Sequence, residues 1–482
     1  MEKIKKFLFK NKNTNQIILK NTFWLAFGEL SSRLIKVFII FYAIRVLGVR
    51  DWGVFSYAIS LCALYMVFSD LGLTSILTRE LSKDDQMKEK HISTSFLIKI
   101  CINVFIFIII LLTGSLFSKD LITKDILIFV SLLMIFEGMR DFIFAINRSM
   151  EKMEVEAIVK ILTNLLLVIF TYIFLLNSTS VHSLALGYML GSLSGLILTL
   201  IIFRKHLRNP FRNFSMELVK PLITIAWPFA LFAILGSIMS STDVVMLGWM
   251  KDVDQVGYYS TSQRIVAFLY IIPGLVTSSL LPTLSKQIHD KEKISSVVHS
   301  SIRLIYLFAI PVVLGSLIVG DQIIHTLFGL DYSQSVNIFR ISILNIIFAF
   351  PALIFNSIIF IFNRHKSIVR ISLIGTILNI SINFILIPKF GALGAAITTL
   401  ISQIVITILM KKELEKIIQL KIFNKLSKII LASLIMSAFL FSFKYFMLNI
   451  YLSIFLSIVI YFLILLSMKE ESIEKVTNIL KE

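Results

Sequence analysis

An all-α polytopic membrane protein of about fourteen transmembrane helices, two six-helix lobes in pseudo-two-fold repeat plus two C-terminal helices, is what three observations predict. Of the 482 residues, 57% are hydrophobic and the mean hydropathy is +0.88, far above a soluble chain. Apolar stretches of about 20 residues, the length that crosses a bilayer core, follow one another almost without pause. The pattern of the first part also returns about 204 residues later: Gly53-Val-Phe-Ser56 aligns with Gly257-Tyr-Tyr-Ser260, and Ser75-Ile-Leu-Thr-Arg-Glu-Leu-Ser-Lys83 with Ser279-Leu-Leu-Pro-Thr-Leu-Ser-Lys286. Internal repeats of this kind are frequent in transporters.

The expected spans are 21–48, 52–79, 93–117, 124–148, 156–177, 182–203, 218–250, 254–285, 296–319, 333–362, 367–387, 391–411, 426–447 and 450–468. Charge orients them. Of the 47 Lys and Arg residues, 33 fall in connections on the side of the N-terminus, 7 on the opposite side and 7 inside spans. The positive-inside rule therefore puts both termini in the cytoplasm. Met1–Lys20 reads as a basic amphipathic segment lying on an anionic membrane face, not as a cleaved signal peptide. Residues 21–203 form the expected N-lobe, 204–217 a cytoplasmic linker, 218–411 the C-lobe, 412–468 the last two spans and 469–482 a cytoplasmic tail. All eight prolines lie at or after Pro210, so the second lobe is expected to be the more bent.

The net charge of +18 does not indicate nucleic acid, because the basic residues alternate between connections as a membrane topology requires. Cys62 and Cys101 sit in apolar runs and read as packed thiols rather than as a disulfide or metal pair. No G-x-x-x-x-G-K-[ST] or H-E-x-x-H motif occurs, which removes a phosphate-loop ATPase and a zinc hydrolase of those types. The expected outer connections are too short for the acid-bearing external loop of a membrane polymerase. No cofactor or metal is implied.

Charges inside spans are expensive, about 2.5–3.5 kcal/mol each at a helix centre on insertion scales, so they mark candidate function. Glu29, Arg33 and Lys36 stand at i, i+4 and i+7 on the first span and share a face. Arg33 and Lys36 are candidate cargo cations; a local Glu29–Arg33 pair that serves packing is the competing reading. Arg264 on span eight lies about ten residues in from the outer face and Asp243 on span seven at a similar depth, as cargo contacts or as an ion pair. Asp70, the lone acid of span two, either binds a coupling ion or meets a base of a neighbouring helix. Arg303 and Arg340 complete the cationic candidates, although each lies near enough to a span end to snorkel. Glu137, Arg140 and Asp141 read as a local salt bridge. Gly187-x-x-x-Gly191-x-x-x-Gly195 reads as a close helix contact.

Arg45-Val-Leu-Gly-Val-Arg-Asp-Trp-Gly53, Phe68-Ser-Asp-Leu-Gly72, Thr78-Arg-Glu-Leu81, Thr242-Asp-Val-Val-Met-Leu-Gly248, Val256-Gly-Tyr-Tyr259, Leu281-Pro-Thr-Leu-Ser285 and Pro388-Lys-Phe-Gly-Ala-Leu-Gly-Ala-Ala396 together resemble Wzx-type polysaccharide flippases of the multidrug/oligosaccharidyl-lipid/polysaccharide exporter superfamily. The resemblance spans nearly the whole chain. It implies a flippase of the bacterial cytoplasmic membrane that carries undecaprenyl-diphosphate-linked oligosaccharide, such as an O-antigen unit, to the outer leaflet by alternating access. It also implies helices one, two, seven and eight around a central cavity, membrane lipid as surroundings, and polysaccharide polymerase and assembly proteins as partners. A flippase for the peptidoglycan lipid precursor differs only in cargo. A drug or cation antiporter of the same superfamily would favour acids over bases, and a membrane glycosyltransferase fits least.

Overall fold

A computed structural model describes residues 14–81, 87–117, 121–205, 207, 213–286, 290–418 and 426–470. Most of the basic segment 1–20, most of the linker between Arg204 and Asn213 and the tail from residue 471 lie outside the described residues.

The described chain is helical, with one short 3-10 turn and no strand. The helix Thr14–Asp70 is divided at Gly48, whose φ of +76° is left-handed backbone that only glycine adopts without cost, giving α1 (14–47) and α2 (49–70). There follow α3 Leu73–Leu81, α4 Lys88–Phe117, α5 Leu121–Ser149, α6 Met153–Asn177, α7 Val181–Phe203, α8 Met216–Met250, α9 Val253–Leu269, α10 Ile271–Lys286, α11 Lys291–Phe328, α12 Ser335–Ile361, α13 His365–Phe390, α14 Ala392–Glu415, α15 Ser427–Tyr445 and α16 Ile450–Ser467. Each of the fourteen expected spans has its helix, with α2 and α3 making up the second and α9 and α10 the eighth. By length and composition, 10 of the described helices qualify to cross a membrane. Side-chain caps set several starts: Ser180 accepts from the Ser183 amide, Asp290 from Lys293 and Asn449 from Tyr451.

The two divided spans correspond in position. Span two breaks at Leu71–Gly72, both at positive φ. Span eight breaks at Tyr270, three residues before Pro273. Pro273 has no N–H to return to the Leu269 carbonyl, and at the next residue the Tyr270 amide donates to the Ala267 carbonyl at 3.3 Å, a tighter turn than the helix it ends. Bending is thus not confined to the proline-bearing half. Pro311 and Pro351 sit inside helices that continue past them, and the one non-helical residue within α11 is Val319.

Two compact units are distinguishable, Met1–Gly257 and Tyr258–Glu482. In the first, α6 and α7 form a tight hairpin that packs on α1 and α5, and α8 packs on the Thr14–Asp70 helix, α3 and α4. A Cβ added to Gly187, Gly191 or Gly195 would lie 2.4–2.5 Å from Thr171, Leu167 or Thr163, so the glycine row is a helix contact, as expected. Leu73, Leu77, Leu81, Phe142, Ile143, Ile146 and Phe203 form a buried apolar cluster. In the second unit, α13 and α14 form the matching hairpin, α12 packs on α14, and α11 is flanked by α12 and α15. The Tyr461 hydroxyl donates to the Leu307 carbonyl at 2.7 Å and ties α16 to α11. Corresponding pairs pack in both units: α5 with α7 and α12 with α14, α3 with α5 and α10 with α12. Both cysteines are free, but only Cys62 is packed; Cys101 is exposed on α4, because its position falls on an outward face of that helix.

Candidate functional site

The charged face of α1 is the start of a chain of alternating charges in the first unit. Arg33 Nε donates to Glu29 Oε1 at 2.8 Å, as their i, i+4 spacing predicts. Lys160 of α6 stands 3.7 Å from the other Glu29 oxygen and 3.1 Å from Glu156. Arg148, at the end of α5, clamps Glu156 through two hydrogen bonds of 2.7 and 2.9 Å. The order Arg33, Glu29, Lys160, Glu156, Arg148 leaves one positive charge in excess. Exposure falls from Arg33 and Glu29, whose side chains are 51% and 50% exposed, through Lys160 at 20% to the fully buried Glu156, and Arg148 beyond it is 32% exposed. The Arg33–Glu29 pair is therefore the most exposed part of the row, and Glu156 anchors it in the protein.

Lys36 leaves that row for a second one. Its ammonium lies 3.8 Å from Glu137 and 5.4 Å from the Tyr188 ring centroid, a cation–π distance. Arg140 reaches Asp141 with two bonds of 3.0 and 3.2 Å, the local bridge that its spacing suggests. Asp70 meets a base on a neighbouring helix: Lys99 of α4, almost fully buried, donates to it at 3.2 Å and to Ser69 at 3.3 Å, and the Thr74 hydroxyl also donates to Asp70. The cluster sits where α2 gives way to α3. Broken helices are where transporters gather polar groups, because the interruption frees backbone in an otherwise apolar segment.

These groups share a level. The Val181 amide bonds Asp51 and the Tyr57 hydroxyl bonds the Phe117 carbonyl, so the starts of α2 and α7 and the end of α4 lie together. Counting back from that end, Lys36 lies about 16 Å along its helix and Glu29, Arg33, Asp70, Lys99, Glu137, Arg140, Glu156 and Lys160 about 21–32 Å. The polar network fills the part of the first unit nearer the N-terminal side.

In the second unit the basic candidates do not gather. Arg303 of α11 forms an ion pair with the buried Glu470, which follows α16, at 2.5 Å. Arg340 lies 3.7 Å from Asp321, whose carboxylate is held by Lys444 at 2.7 and 2.8 Å. Arg264 is half-buried on α9, and Asp243 is buried on α8 of the first unit. Arg303 and Arg340 each tie helix ends together, as residues near a span end are suited to do.

Sequence reasoning passed over Lys160, Arg148 and Glu156, which fall near a cytoplasmic connection by charge count. The signal was present: Glu156 and Lys160 stand at i, i+4 at the start of an apolar helix. Lys99 was visible only as an in-span base. Among the described residues no cluster of His, Cys, Asp and Glu suits a metal ion. The arrangement offers hydrogen-bond donors for an anion, with arginine best suited to the two oxygens of a phosphate.

Comparison with known proteins bears on the family and the fold. The capsular polysaccharide biosynthesis protein CapF of Staphylococcus aureus is 25% identical over 399 residues, 80% of this chain and 97% of that one. The probable low-salt glycan biosynthesis flippase Agl15 of Haloferax volcanii is 25% identical over 412 residues, 84% of this chain and 85% of that one. The solved structure of the lipid II flippase MurJ in an inward closed conformation superposes with a TM-score of 0.75 at 19% identity, covering 91% of this chain and 96% of that one. At that identity the likeness is one of fold. Residues 228–385 also match the MatE family. The pattern of the polysaccharide biosynthesis protein family matches residues 18–288, more than half the chain, and the protein belongs to that family.

Proposed function

We propose that the protein is a flippase that turns undecaprenyl-diphosphate-linked oligosaccharide from the cytoplasmic to the outer leaflet by alternating access. It is a transporter and not an enzyme. The observation that carries the reading is the charge row Arg33–Glu29–Lys160–Glu156–Arg148, most exposed at Arg33 and anchored at Glu156, in a protein of which 10 described helices are long and apolar enough to cross a bilayer. A diphosphate bearing sugars crosses hydrocarbon only if its polar groups are met, since each unsatisfied one costs several kcal/mol. Glu29 holds Arg33 and Lys160 in readiness as an internal anion. A phosphate that displaces it inherits both donors, and Glu156 keeps Lys160 and Arg148 in place throughout.

With both termini in the cytoplasm, the row lies toward the leaflet in which the cargo is assembled. Residues 21–203 and 218–411 act as the two lobes, joined by the connector 204–217, with 412–468 as accessory spans and 469–482 as a tail. Arg264 supplies a second cationic contact, and Asp70 with Lys99 is the site of any coupled proton. Polymerase and assembly proteins would receive the product on the outer side. Depletion of the protein should leave lipid-linked oligosaccharide on the cytoplasmic leaflet, out of reach of a glycosidase added to intact spheroplasts. Accumulation of the peptidoglycan precursor instead would reassign the cargo, and an unchanged leaflet distribution of both lipids would refute the function.

A further inference from the structure

Two bases of the second unit share one acid, and they share it unequally. Asp321 lies on α11 seven residues before its end, Arg340 on α12 five residues after its start, and Lys444 beside the last residue of α15. At 1.5 Å per residue, all three fall within about 11 Å of the same end of these helices. The Lys444 ammonium donates to the two Asp321 oxygens at 2.7 and 2.8 Å and to the Ile318 carbonyl at 2.8 Å. An ammonium has three N–H donors, so Lys444 is fully used and the Asp321 charge is met. Arg340 is left as the surplus cation. Its Nη2 stands 3.7 Å from Asp321, beyond a hydrogen bond, and its Nε is buried without a partner among the described residues.

Consecutive residues of α11 build this arrangement. Ile318 supplies the carbonyl, Val319 is the non-helical residue, and Asp321 supplies the carboxylate. Between them, a Cβ on Gly320 would lie 3.6 Å from Arg340 Cγ, so the arginine stem passes over the glycine. The Arg340 side chain is 36% exposed, and a ligand can reach it. A buried N–H with no acceptor is costly, and the guanidinium fork fits two oxygens of a phosphate. The first unit is built differently. There Arg33 Nε is held by Glu29, and a ligand has to displace an acid. Here Lys444 has already taken the acid away.

We propose that Arg340 is the centre of a phosphate-binding site at the outer end of the second unit, taking the phosphate of a membrane lipid, either the carried lipid as it arrives or a neighbouring phospholipid. The outward placement rests on the topology of the proposed flippase, whereas the affinity for phosphate does not, so the two can fail separately. The test uses the full chain with Cys62→Ser and Cys101→Ser and a fluorophore on Asn337→Cys. Asn337 is exposed and lies about one turn before Arg340 on α12, so the reporter reads this site. In a phosphate-free detergent, inorganic pyrophosphate should change its fluorescence saturably. Arg340→Gln should weaken that binding about tenfold or more, the loss expected of a charged hydrogen-bond donor, and Arg340→Lys should weaken it less. Lys389→Gln, which removes an exposed base, should leave it unchanged.

Asp321→Asn frees Lys444 and should tighten binding. Lys444→Met frees Asp321 to pair with Arg340 and should weaken it, and the Asp321→Asn, Lys444→Met double variant should recover it. A brace between helix ends and nothing more predicts no response to any of these changes. Binding unchanged by Arg340→Gln, or as weak in the double variant as in Lys444→Met, would overturn the site. If Arg340→Gln does not fold, the Asp321 and Lys444 series, which keeps the arginine, decides the same question. Vesicles distinguish the source of the phosphate. Binding that persists in phosphatidylcholine and is abolished when phosphatidylglycerol is added assigns the site to a phospholipid; binding that persists in both assigns it to the carried lipid. The predicted responses in a protein whose depletion moves no lipid-linked saccharide would sink the proposed function and leave the site standing.

Discussion

Glu156 and Glu29 occupy neighbouring places in one charge row, and removing each should have opposite consequences. The Glu156 carboxylate is fully buried and holds Arg148 by two bonds and Lys160 by a third contact. Glu156→Gln removes the only acid that stands between those bases while keeping the volume. Breaking a buried ion pair from one side costs about 3–5 kcal/mol, most of it for the charge left behind. Arg148 and Lys160 are 32% and 20% exposed, so part of that charge is recovered by solvent. A loss of about 2–3 kcal/mol is the discounted expectation. Glu156 also lies in the first turn of α6, where a negative charge contributes about 0.3–1 kcal/mol against the helix dipole.

Glu29→Gln removes a carboxylate that is half exposed, and exposed pairs are worth about 0–1 kcal/mol. The stability of the purified protein in detergent, followed by denaturant titration with tryptophan fluorescence, should therefore fall clearly for Glu156→Gln and hardly for Glu29→Gln. Binding of inorganic pyrophosphate, read by calorimetry, should move the other way. Glu29→Gln binds more tightly because Arg33 and Lys160 have lost their internal competitor, and Lys160→Met binds more weakly. Equal stability losses in the two glutamine variants, or pyrophosphate binding indifferent to both Glu29 and Lys160, would refute the division into an exposed and an anchored part.

Other outcomes follow from the same geometry. Gly191→Ala, which drives a methyl group to 2.4 Å from Leu167 Cα, should cost about 1–3 kcal/mol by overpacking, measured by the same titration. Cysteine at Ser178 should react with an impermeant reagent from outside intact cells and cysteine at Lys152 should not; the reverse would overturn the topology. Arg33→Ala and Arg264→Ala should each abolish flipping at normal protein level, with lysine restoring part of it, since charge survives but the two-pronged geometry does not. Flipping in liposomes should depend on an imposed potential, because a dianionic headgroup moving outward uncompensated gains about 4–5 kcal/mol per 100 mV; equal rates with the potential on, off and reversed would exclude this.

How much of this was legible in the sequence depended on whether the cause was local. Span number followed from apolar length, which a helix converts directly into membrane thickness. The Glu29–Arg33 bond followed from i, i+4 spacing. The close row at Gly187, Gly191 and Gly195 followed because only small residues let helix backbones approach. Where the partner came from another helix, the sequence offered alternatives without a choice. Lys36 looks unpaired along α1 because Glu137 reaches it from α5. Asp70 looks alone because Lys99 arrives from α4. Composition predicts more bending in the half with proline, and it does not reveal that the first unit also breaks at Leu71–Gly72 by positive φ, a conformation that proline counting does not detect.

The repeat carried more than its short matches suggested, and the reason is physical. A duplicated segment repeats its backbone problems along with its residues. Gly53 and Gly257 were visible only as an alignment anchor, since nothing in either local sequence says what passes over a glycine. Where Gly53 meets Val253 and Gly257 meets Val49, each glycine must leave room for a carbonyl, and the substitution that one position forbids is forbidden at its mate. The charges follow no such constraint. Glu29, Arg33 and Lys36 have no counterparts 204 residues on, where Ala233, Ser237 and Ser240 stand. The helix starts that meet have kept their symmetry, while the charged face of α1 is peculiar to the first half. The charge row would therefore meet a headgroup from the first half, and Arg264 is a separate cationic contact proposed from the second.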